Sequence, residues 1–362
     1  MFMRVTPFRQ LARLYRAALS ASDSLSRLSE REAPAFAANA ASAARLDVVE
    51  RRLGTHEADI QYLAGRIKAL ETLGRHLRLQ AVANSERPFL IEADVPGLNP
   101  FAFEIHRQGD AFISAELEMN GTWEAFETEV MRRLCRAGDF ALDIGGNIGW
   151  YSVLVAKIVG STGRLISFEP DPRNYAMLSR NLERVENGPS FTARQEAVSD
   201  TAGVLDLFLS EDNLGDHRIF SDGTARDVLQ VATSPLDQLL ADERRLPDLV
   251  KSDAQGSEAK IFRGAKNLFK RGWRPIFVME FWPFGLSNSG DDPLWLWSQL
   301  ADMGYQMFEL TEDNPTLLPL DDALIRQQVA GRIAPETQAF INLVAVPGGS
   351  DRLASIASLI AR

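Results

Sequence analysis

Beyond residue 137 short apolar runs alternate with longer stretches in which apolar positions recur at helical spacing. Phe140–Ile144 reads as a buried strand, 145–149 as a tight loop and Trp150–Val159 as a helix. The pattern repeats with a strand over 165–168 closed by Glu169, a helix over 174–185 and a strand over 192–198. Leu249–Ser252 and 276–279 are further buried strands separated by a helix over 257–269, and 305–310 and 340–346 close the sheet. This alternation predicts an α/β domain over 137–348, with a parallel sheet covered on both faces. The stretch 210–225, rich in Asp, Gly and Asn, lacks periodicity and reads as a loop long enough to be a lid.

Upstream, 88–119 is broken at Pro96-Gly97, Asn99-Pro100 and Gly109-Asp110 into short alternating runs, which predict strands joined by turns. With a helix over 124–134 they make 85–136 a small β-rich entry subdomain. Over 34–84, Leu46, Leu53, Ile60 and Ile67 recur seven apart, and Val49, Leu63, Leu70 and Leu77 fall three positions later. That is a coiled-coil seam, weakened at His56 and Gly74. It predicts self-association as a dimer or trimer, with a hairpin against the first helix as the alternative. That first helix, within 1–33, starts at Thr6-Pro7 and sets Phe8, Leu11, Tyr15 and Leu19 against Arg9, Arg13 and Arg16. A basic amphipathic helix lies on an anionic membrane surface, or is simply solvated or packed against the core. Residues 349–362 read as a C-terminal helix or tail.

Charge and cysteine content narrow the function. With 39 Lys and Arg against 49 Asp and Glu in 362 residues, the net charge is −10. Nucleic-acid binding needs clustered positive charge and is not expected. The single cysteine, Cys135, excludes an internal disulfide framework and fits a reducing, cytoplasmic location. Four scattered histidines argue against a multi-His metal centre, and no metal is expected. No run approaches the roughly 20 apolar residues that span a bilayer.

The chemistry gathers at the loops that follow strands. In Asp143-Ile144-Gly145-Gly146-Asn147-Ile148-Gly149 the glycines remove side chains so that backbone can approach a ligand, and the amides opening the next helix suit a carboxylate or other anion. Asp143 adds an acceptor for an ammonium. Glu169, at the end of the next strand, suits the two hydroxyls of a ribose. A nucleoside-bearing cofactor follows from this pair. A dinucleotide fingerprint wants G-x-G-x-x-G, whereas here Gly145 and Gly149 are four apart with Asn147 between, which disfavours NAD.

The loop D-I-G-G-N-I-G-W-Y, then F-E-P-D-P with Asn181, then A-V-S-D at Asp200, then V-K-S-D-A-Q-G-S-E resemble, in that order and spacing, the FkbM-type methyltransferases. The resemblance covers 123–346. It implies a Rossmann-like domain with a seven-stranded sheet and S-adenosylmethionine (S-adenosyl-L-methionine) as cofactor. By that likeness Asp143, Gly145 and Asn147 line the methionine end, Glu169 the ribose, and the stretch 196–199, with Glu196 and Ala197, the adenine edge, and Gly146 and Gly149 are counted with them as cofactor-binding.

Asp253 follows the fourth strand, where a carboxylate can align an acceptor hydroxyl and remove its proton, or simply cap the helix near Ser257. Glu280 stands before Phe281 and Trp282 and suits a polyol, or caps packed aromatics. His217, in the 210–225 loop, is a third candidate for the base. A cation held by Asp253 with Glu258 or Glu280 cannot be read from spacing. Where the family often has Glu and an apolar residue, this chain has Gln255 and Ser252. The expected activity is O-methylation of a hydroxyl on a glycan, glycolipid or related small molecule, in surface polysaccharide assembly at the inner face of the membrane. The alternatives are an NAD-dependent oxidoreductase, and a non-catalytic interaction protein whose coiled coil is its function.

Overall fold

The computed structural model describes residues 88–361 except 108, 109, 111, 211, 212 and 313. The chain divides into two units, Met1–Arg87 and Pro88–Arg362, and every described element belongs to the second. The amphipathic helix expected within 1–33 and the coiled coil expected over 34–84 lie outside the described residues.

Strands β1 (Leu90–Ala93) and β2 (Phe101–Glu104) pair antiparallel and are followed by helices α1 (Ile113–Asn120) and α2 (Ala125–Leu134). The βα succession runs through β3 (Phe140–Ile144), α3 (Trp150–Val159), β4 (Arg164–Phe168), α4 (Pro172–Glu183) and β5 (Ser190–Arg194). Next, β6 (Ala197–Val198), β7 (Gly203–Phe208) and β8 (Val228–Ser234) make a separate three-stranded sheet. The main sheet resumes after α5 (Leu236–Leu239) with β9 (Leu249–Ser252), α6 (Glu258–Gly264), α7 (Lys266–Lys270) and β10 (Ile276–Phe281). It is completed by α8 (Pro283–Asn288), α9 (Pro293–Asp302), β11 (Tyr305–Thr311), β12 (Thr316–Leu320), α10 (Asp322–Val329), β13 (Ile341–Pro347) and α11 (Leu353–Ile356).

The main sheet has eight strands in the order β12-β11-β13-β10-β9-β3-β4-β5. Strands β10 to β5 in that order run parallel, while β13 is antiparallel to both β10 and β11. Successive residues of β3 show that the centre of the sheet is covered on both faces. Phe140, Leu142 and Ile144 pack into one core, with Phe262, Phe277 and Leu286. Ala141 points into the other, with Leu154, Val278 and residues of β1, β2 and α2.

Several elements depart from the sequence reading. The run before Met119 is a helix and not a strand. The Asp110 carboxylate accepts from the amide of Ser114 at 2.8 Å and from Phe112 and Ile113 at 3.3 Å, so local capping outweighs alternation. Helix α4 begins two residues earlier than expected, because Asp171 caps the amides of Arg173 and Asn174 with Pro172 in the first turn. The single strand expected over 192–198 is two, split at Gln195-Glu196 between different sheets. The helix expected over 257–269 breaks at Ala265. The resemblance implied seven strands. The eighth is β12, which pairs with β11 as an outer antiparallel partner.

Candidate active site

Register places the functional side chains in one row. Ile144 pairs with Phe168 on one side and Ser252 on the other, and Ser252 pairs with Met279. The next residue of each chain is therefore Gly145, Glu169, Asp253 or Glu280, all at the carboxyl edge. The chain leaves β3 toward β4 and β5 and later returns on its other side with β9 and β10, so the crevice between β3 and β9 is the topological switch point, where open α/β sheets take ligands.

A cleft lies there with about 660 Å³ of empty space, part of it open to solvent. It is lined by Gly145, Asn147, Glu169, Glu196, Ala197, His217 and Asp253, drawn from stretches far apart in the chain. Its roof is the segment after β7. The carbonyl of Leu214 accepts from the side-chain amides of Asn147 (2.9 Å) and Asn174 (3.0 Å). Arg218 within the roof is clasped by Asp216 and Asp222 and lies 4.8 Å from the Trp282 ring. The loop read as a lid thus sits over the cleft, with Glu211 and Asp212 outside the described residues.

Gly145 has a φ of +77°, and a Cβ there would meet the carbonyl oxygen of Asp253 at 2.0 Å. The amide of Asp253 donates to the Ile144 carbonyl at 2.9 Å, which draws the two loops together. Asn147 and Gln255, both facing the cleft, also adopt left-handed backbone, at φ 49° and 47°. Such non-glycine conformations persist where surrounding contacts hold them.

Not every expected site residue faces the cleft. Asp143 is buried and accepts from Ser152 Oγ, and burial pushes its carboxyl up to about 6. Gly146 and Gly149 pack against Leu178 of α4, leaving no room for side chains. The amides of residues 145–149, which precede the helix whose opening amides were expected to meet an anion, are bonded inside the protein. Those of Gly145 and Gly146 donate to the Phe168 carbonyl, that of Asn147 to Glu169, that of Ile148 to its neighbour Asn147 Oδ1, and that of Gly149 to the Gly146 carbonyl. Asn181, quoted among the motifs, clamps β2 to this loop by accepting from the Glu104 amide and donating to the carbonyls of Glu104 and Ile148.

Glu169 does face the cleft. One carboxylate oxygen accepts from Asn147 N (2.8 Å) and the other from Asp171 N (2.9 Å), which fixes its plane. Burial, opposed by those two bonds, pushes its carboxyl up to about 8. Glu196 lies 2.9 Å from Arg194 Nη1.

Asp253 keeps 37% of its side chain exposed. Its Oδ1 accepts from the Gln255 amide at 2.8 Å, and the same amide nitrogen reaches Glu280 Oε1 at 3.5 Å. His217 is not a solvated loop residue. Only 7% of its side chain is exposed, its Nδ1 accepts from Ser210 N, and its Nε2 is 3.8 Å from Asp171 Oδ2. Burial holds the imidazole below its ordinary value. Glu280 is buried behind Gln255, where burial, and then the charges of Asp253 and Glu258, push its carboxyl well up.

The sequence reading missed Lys251. It is buried in β9 with its Nζ 2.9 Å from Glu127 Oε1 of α2, 3.8 Å from Asp253 Oδ2 and 4.9 Å from the centre of the Tyr151 ring. Burial alone lowers its pKa, but the carboxylates of Glu127, Asp253 and Glu124 outweigh this and hold it above the ordinary value. The available signal was a lone charge inside an apolar strand. Among the described residues no group of three or more His, Cys, Asp or Glu is disposed to hold a metal ion, and no helix is long and apolar enough to cross a membrane.

No curated protein matches the chain. Among solved structures, it is similar to the O-methyltransferase from Bacillus cereus in complex with SAH, at 13% identity and TM-score 0.33, over 61% of this chain and 78% of that one. It is similar to the Pyrococcus abyssi tRNA (uracil-54, C5)-methyltransferase in complex with S-adenosyl-L-homocysteine, at 13% identity and TM-score 0.34, over 71% and 43%. A third is the precorrin-6y C5,15-methyltransferase from Geobacter metallireducens GS-15, at 11% identity and TM-score 0.32, over 62% and 87%. At these TM-scores the likenesses add nothing to the assignment, which rests on a domain match: residues 143–307 fit the methyltransferase FkbM domain. That stretch takes in the loop after β3, the acid after β4 and the aspartate after β9 in one run, and with this domain the protein is an S-adenosylmethionine-dependent methyltransferase.

Proposed function

We propose that the protein methylates a hydroxyl of a glycan, glycolipid or related small molecule, as part of surface polysaccharide biosynthesis. The observation that carries the hydroxyl-transfer reading is the half-exposed carboxylate of Asp253 at the cleft, one residue past β9 and directly across from Gly145. When bound, S-adenosylmethionine supplies an electrophilic methyl on a sulfonium. The cleft suits it: Gly145 lets the loops after β3 and β9 approach each other closely at the cleft, and Glu169 presents a fixed carboxylate for a diol. The bonded amides of the glycine loop speak against a diphosphate and hence against the NAD alternative, since a pyrophosphate needs open donors.

Asp253 accepts the proton of the acceptor hydroxyl and aligns its oxygen, while Gln255 holds Oδ1 and leaves Oδ2 facing Lys251. His217 and Glu280 support this centre as second-rank candidates, since His217 is already engaged through Nδ1 and Glu280 stands behind Gln255. Asp253→Asn is expected to lower kcat by roughly 100-fold or more, the scale of a lost general base, with S-adenosylhomocysteine affinity unchanged. Calorimetry and a tritium-transfer assay check this. Undiminished turnover removes Asp253 from the reaction, and so does loss of both properties together.

Glu169 gives a pH-dependent result. With its pKa near 8 it is largely protonated in the free protein at pH 7, and a ribose diol donating to both oxygens requires the ionised form. Binding of S-adenosylhomocysteine at pH 7 is therefore expected to release up to about one proton, and at pH 9 close to none. Calorimetry in buffers of different ionisation enthalpy reads this directly, and Glu169→Gln should abolish the release. Proton uptake at pH 7 contradicts the assignment of Glu169 to the diol.

The membrane-surface contact and self-association expected from 1–84 remain part of this proposal. They concern residues outside those described.

A further inference from the structure

Lys251 is the one charged side chain in β9, and stability alone does not account for it. Its ammonium stands between two carboxylates, Glu127 Oε1 at 2.9 Å in the core and Asp253 Oδ2 at 3.8 Å at the cleft. Burying a lysine against a glutamate often stabilises a fold no more than two apolar side chains of the same volume would. The contact with Asp253 is what carries the pair to the cleft, which Asp253 lines and Lys251 does not. Lys251 is not itself the base. Burial lowers its pKa, but the charges of Glu127, Asp253 and Glu124 outweigh burial and keep the ammonium protonated, with no lone pair to offer.

The groups packed behind Asp253 are otherwise acidic. Glu124 faces it from the start of α2, Asp143 from β3, Glu258 from α6 and Glu280 from β10. Tyr151 of α3 donates to Glu124 at 2.8 Å, and Glu169, Glu196 and His217 line the cleft with Asp253. Burial, reinforced by the charge of Asp253, pushes Glu124 up to about 8 and Glu258 up to about 7, and holds Glu280 well above the usual carboxylate range. Near pH 7, Glu124 and Glu280 are therefore largely neutral. Among the described residues Lys251 is the one cation within salt-bridge distance of Asp253. Neighbouring acids whose environments diverge in this way divide into a charged base and neutral supports.

We propose that Lys251 is a positioning residue for methyl transfer: anchored on Glu127, its ammonium holds Asp253 Oδ2 and fixes the negative charge of the cluster on that carboxylate. This rests on the reading of Asp253 as the base.

The single change Lys251→Met strands the Glu127 charge in the core, so the test pairs it with Glu127→Gln. The full chain is isotope-labelled at its aspartate carboxyl carbons, and NMR follows the Asp253 signal, identified by its loss in Asp253→Asn. In the double variant the titration midpoint of that signal is expected to rise by about 1–3 pH units, the scale of a lost opposite charge at this distance. Glu127→Gln alone leaves Lys251 to Asp253, and the midpoint is expected to fall. Neither Lys251 nor Glu127 lines the cleft, so S-adenosylhomocysteine affinity, read by calorimetry, should be unchanged in both variants. A merely structural lysine moves neither midpoint, and that result overturns the proposal. Should the double variant not fold, the midpoint in Glu127→Gln decides alone.

Tritium transfer from S-adenosylmethionine to a polar glycan extract from cells lacking the gene gives the second readout. The pH at which the rate falls to half on the acid side should move with the midpoint in each variant. Midpoints that move under an unmoved rate profile mean that Asp253 is not the base, and they remove both this inference and the reading it rests on. Unmoved midpoints with Asp253→Asn still inactive remove this inference alone. An extract that takes no label from the wild-type chain removes the hydroxyl transfer and the role of Lys251 in it. Failure of S-adenosylhomocysteine to bind the wild-type chain removes the methyltransferase reading itself.

Discussion

Gly145→Ala is expected to destabilise the protein by about 2–5 kcal/mol and to abolish S-adenosylhomocysteine binding. Left-handed backbone costs an L residue roughly 1–2 kcal/mol. Overpacking adds about 1–3 kcal/mol. Here the added Cβ meets backbone, the Asp253 carbonyl oxygen at 2.0 Å, so no side-chain rotation relieves it. The loops after β3 and β9 must separate, breaking the bond from Asp253 N to the Ile144 carbonyl and widening the cleft where the cofactor and Asp253 meet. Gly304→Ala is the control. Its φ is +77°, the same as that of Gly145, with nothing within 4 Å of the added Cβ, so it carries the conformational cost without the clash. Thermal melts of the two variants should differ by several degrees. If they coincide, the loops do not approach as closely as the geometry requires.

Lys251→Met should be the more damaging change to stability. It leaves the Glu127 carboxylate, 0% exposed, without the one cation among the described residues within salt-bridge distance of it, and breaking a buried pair in this way costs about 3–5 kcal/mol. Removing both charges in Lys251→Met with Glu127→Gln should recover most of that loss, because what destabilises the single variant is the uncompensated charge. Denaturant unfolding of the four proteins closes the cycle and gives the coupling directly. The sign of the pH dependence also follows. The pKa of Lys251 is raised on folding, so its contribution is complete below its ordinary value of 10.5 and is lost only as pH rises through the folded value. On account of the lysine, the deficit of the single variant should be flat from pH 6 to 9. A single variant as stable as wild type would mean that water reaches the pair.

Gly145, Glu169 and Asp253 were legible because each follows an apolar strand, and strand ends are marked in sequence by the change from apolar to polar. Phe140–Ile144 before Gly145, and Leu249–Ser252 before Asp253, are read correctly for that reason. Helix starts were less certain. Asp171 capped two residues ahead of the apolar periodicity, and Asp110 turned an alternating run into α1. Strands β7 and β8 carry exposed Val204 and Val228 and pair across the roof segment, a partnership of distant residues that no local window contains.

By itself the sequence determined the βα succession from Phe140 to Glu183, the motifs that match the FkbM domain, and the residue types at the carboxyl edge, because these depend on local periodicity and on motif spacing. Tertiary structure decided which of those residues face the cleft. Asp143 and Glu169 both belong to strand ends in the pattern, yet packing turns the first inward to Ser152 and leaves the second at the cleft. It also decided that Lys251 answers Glu127, 124 positions earlier in the chain. Burial and pairing are properties of neighbours in space, and only the folded chain supplies them.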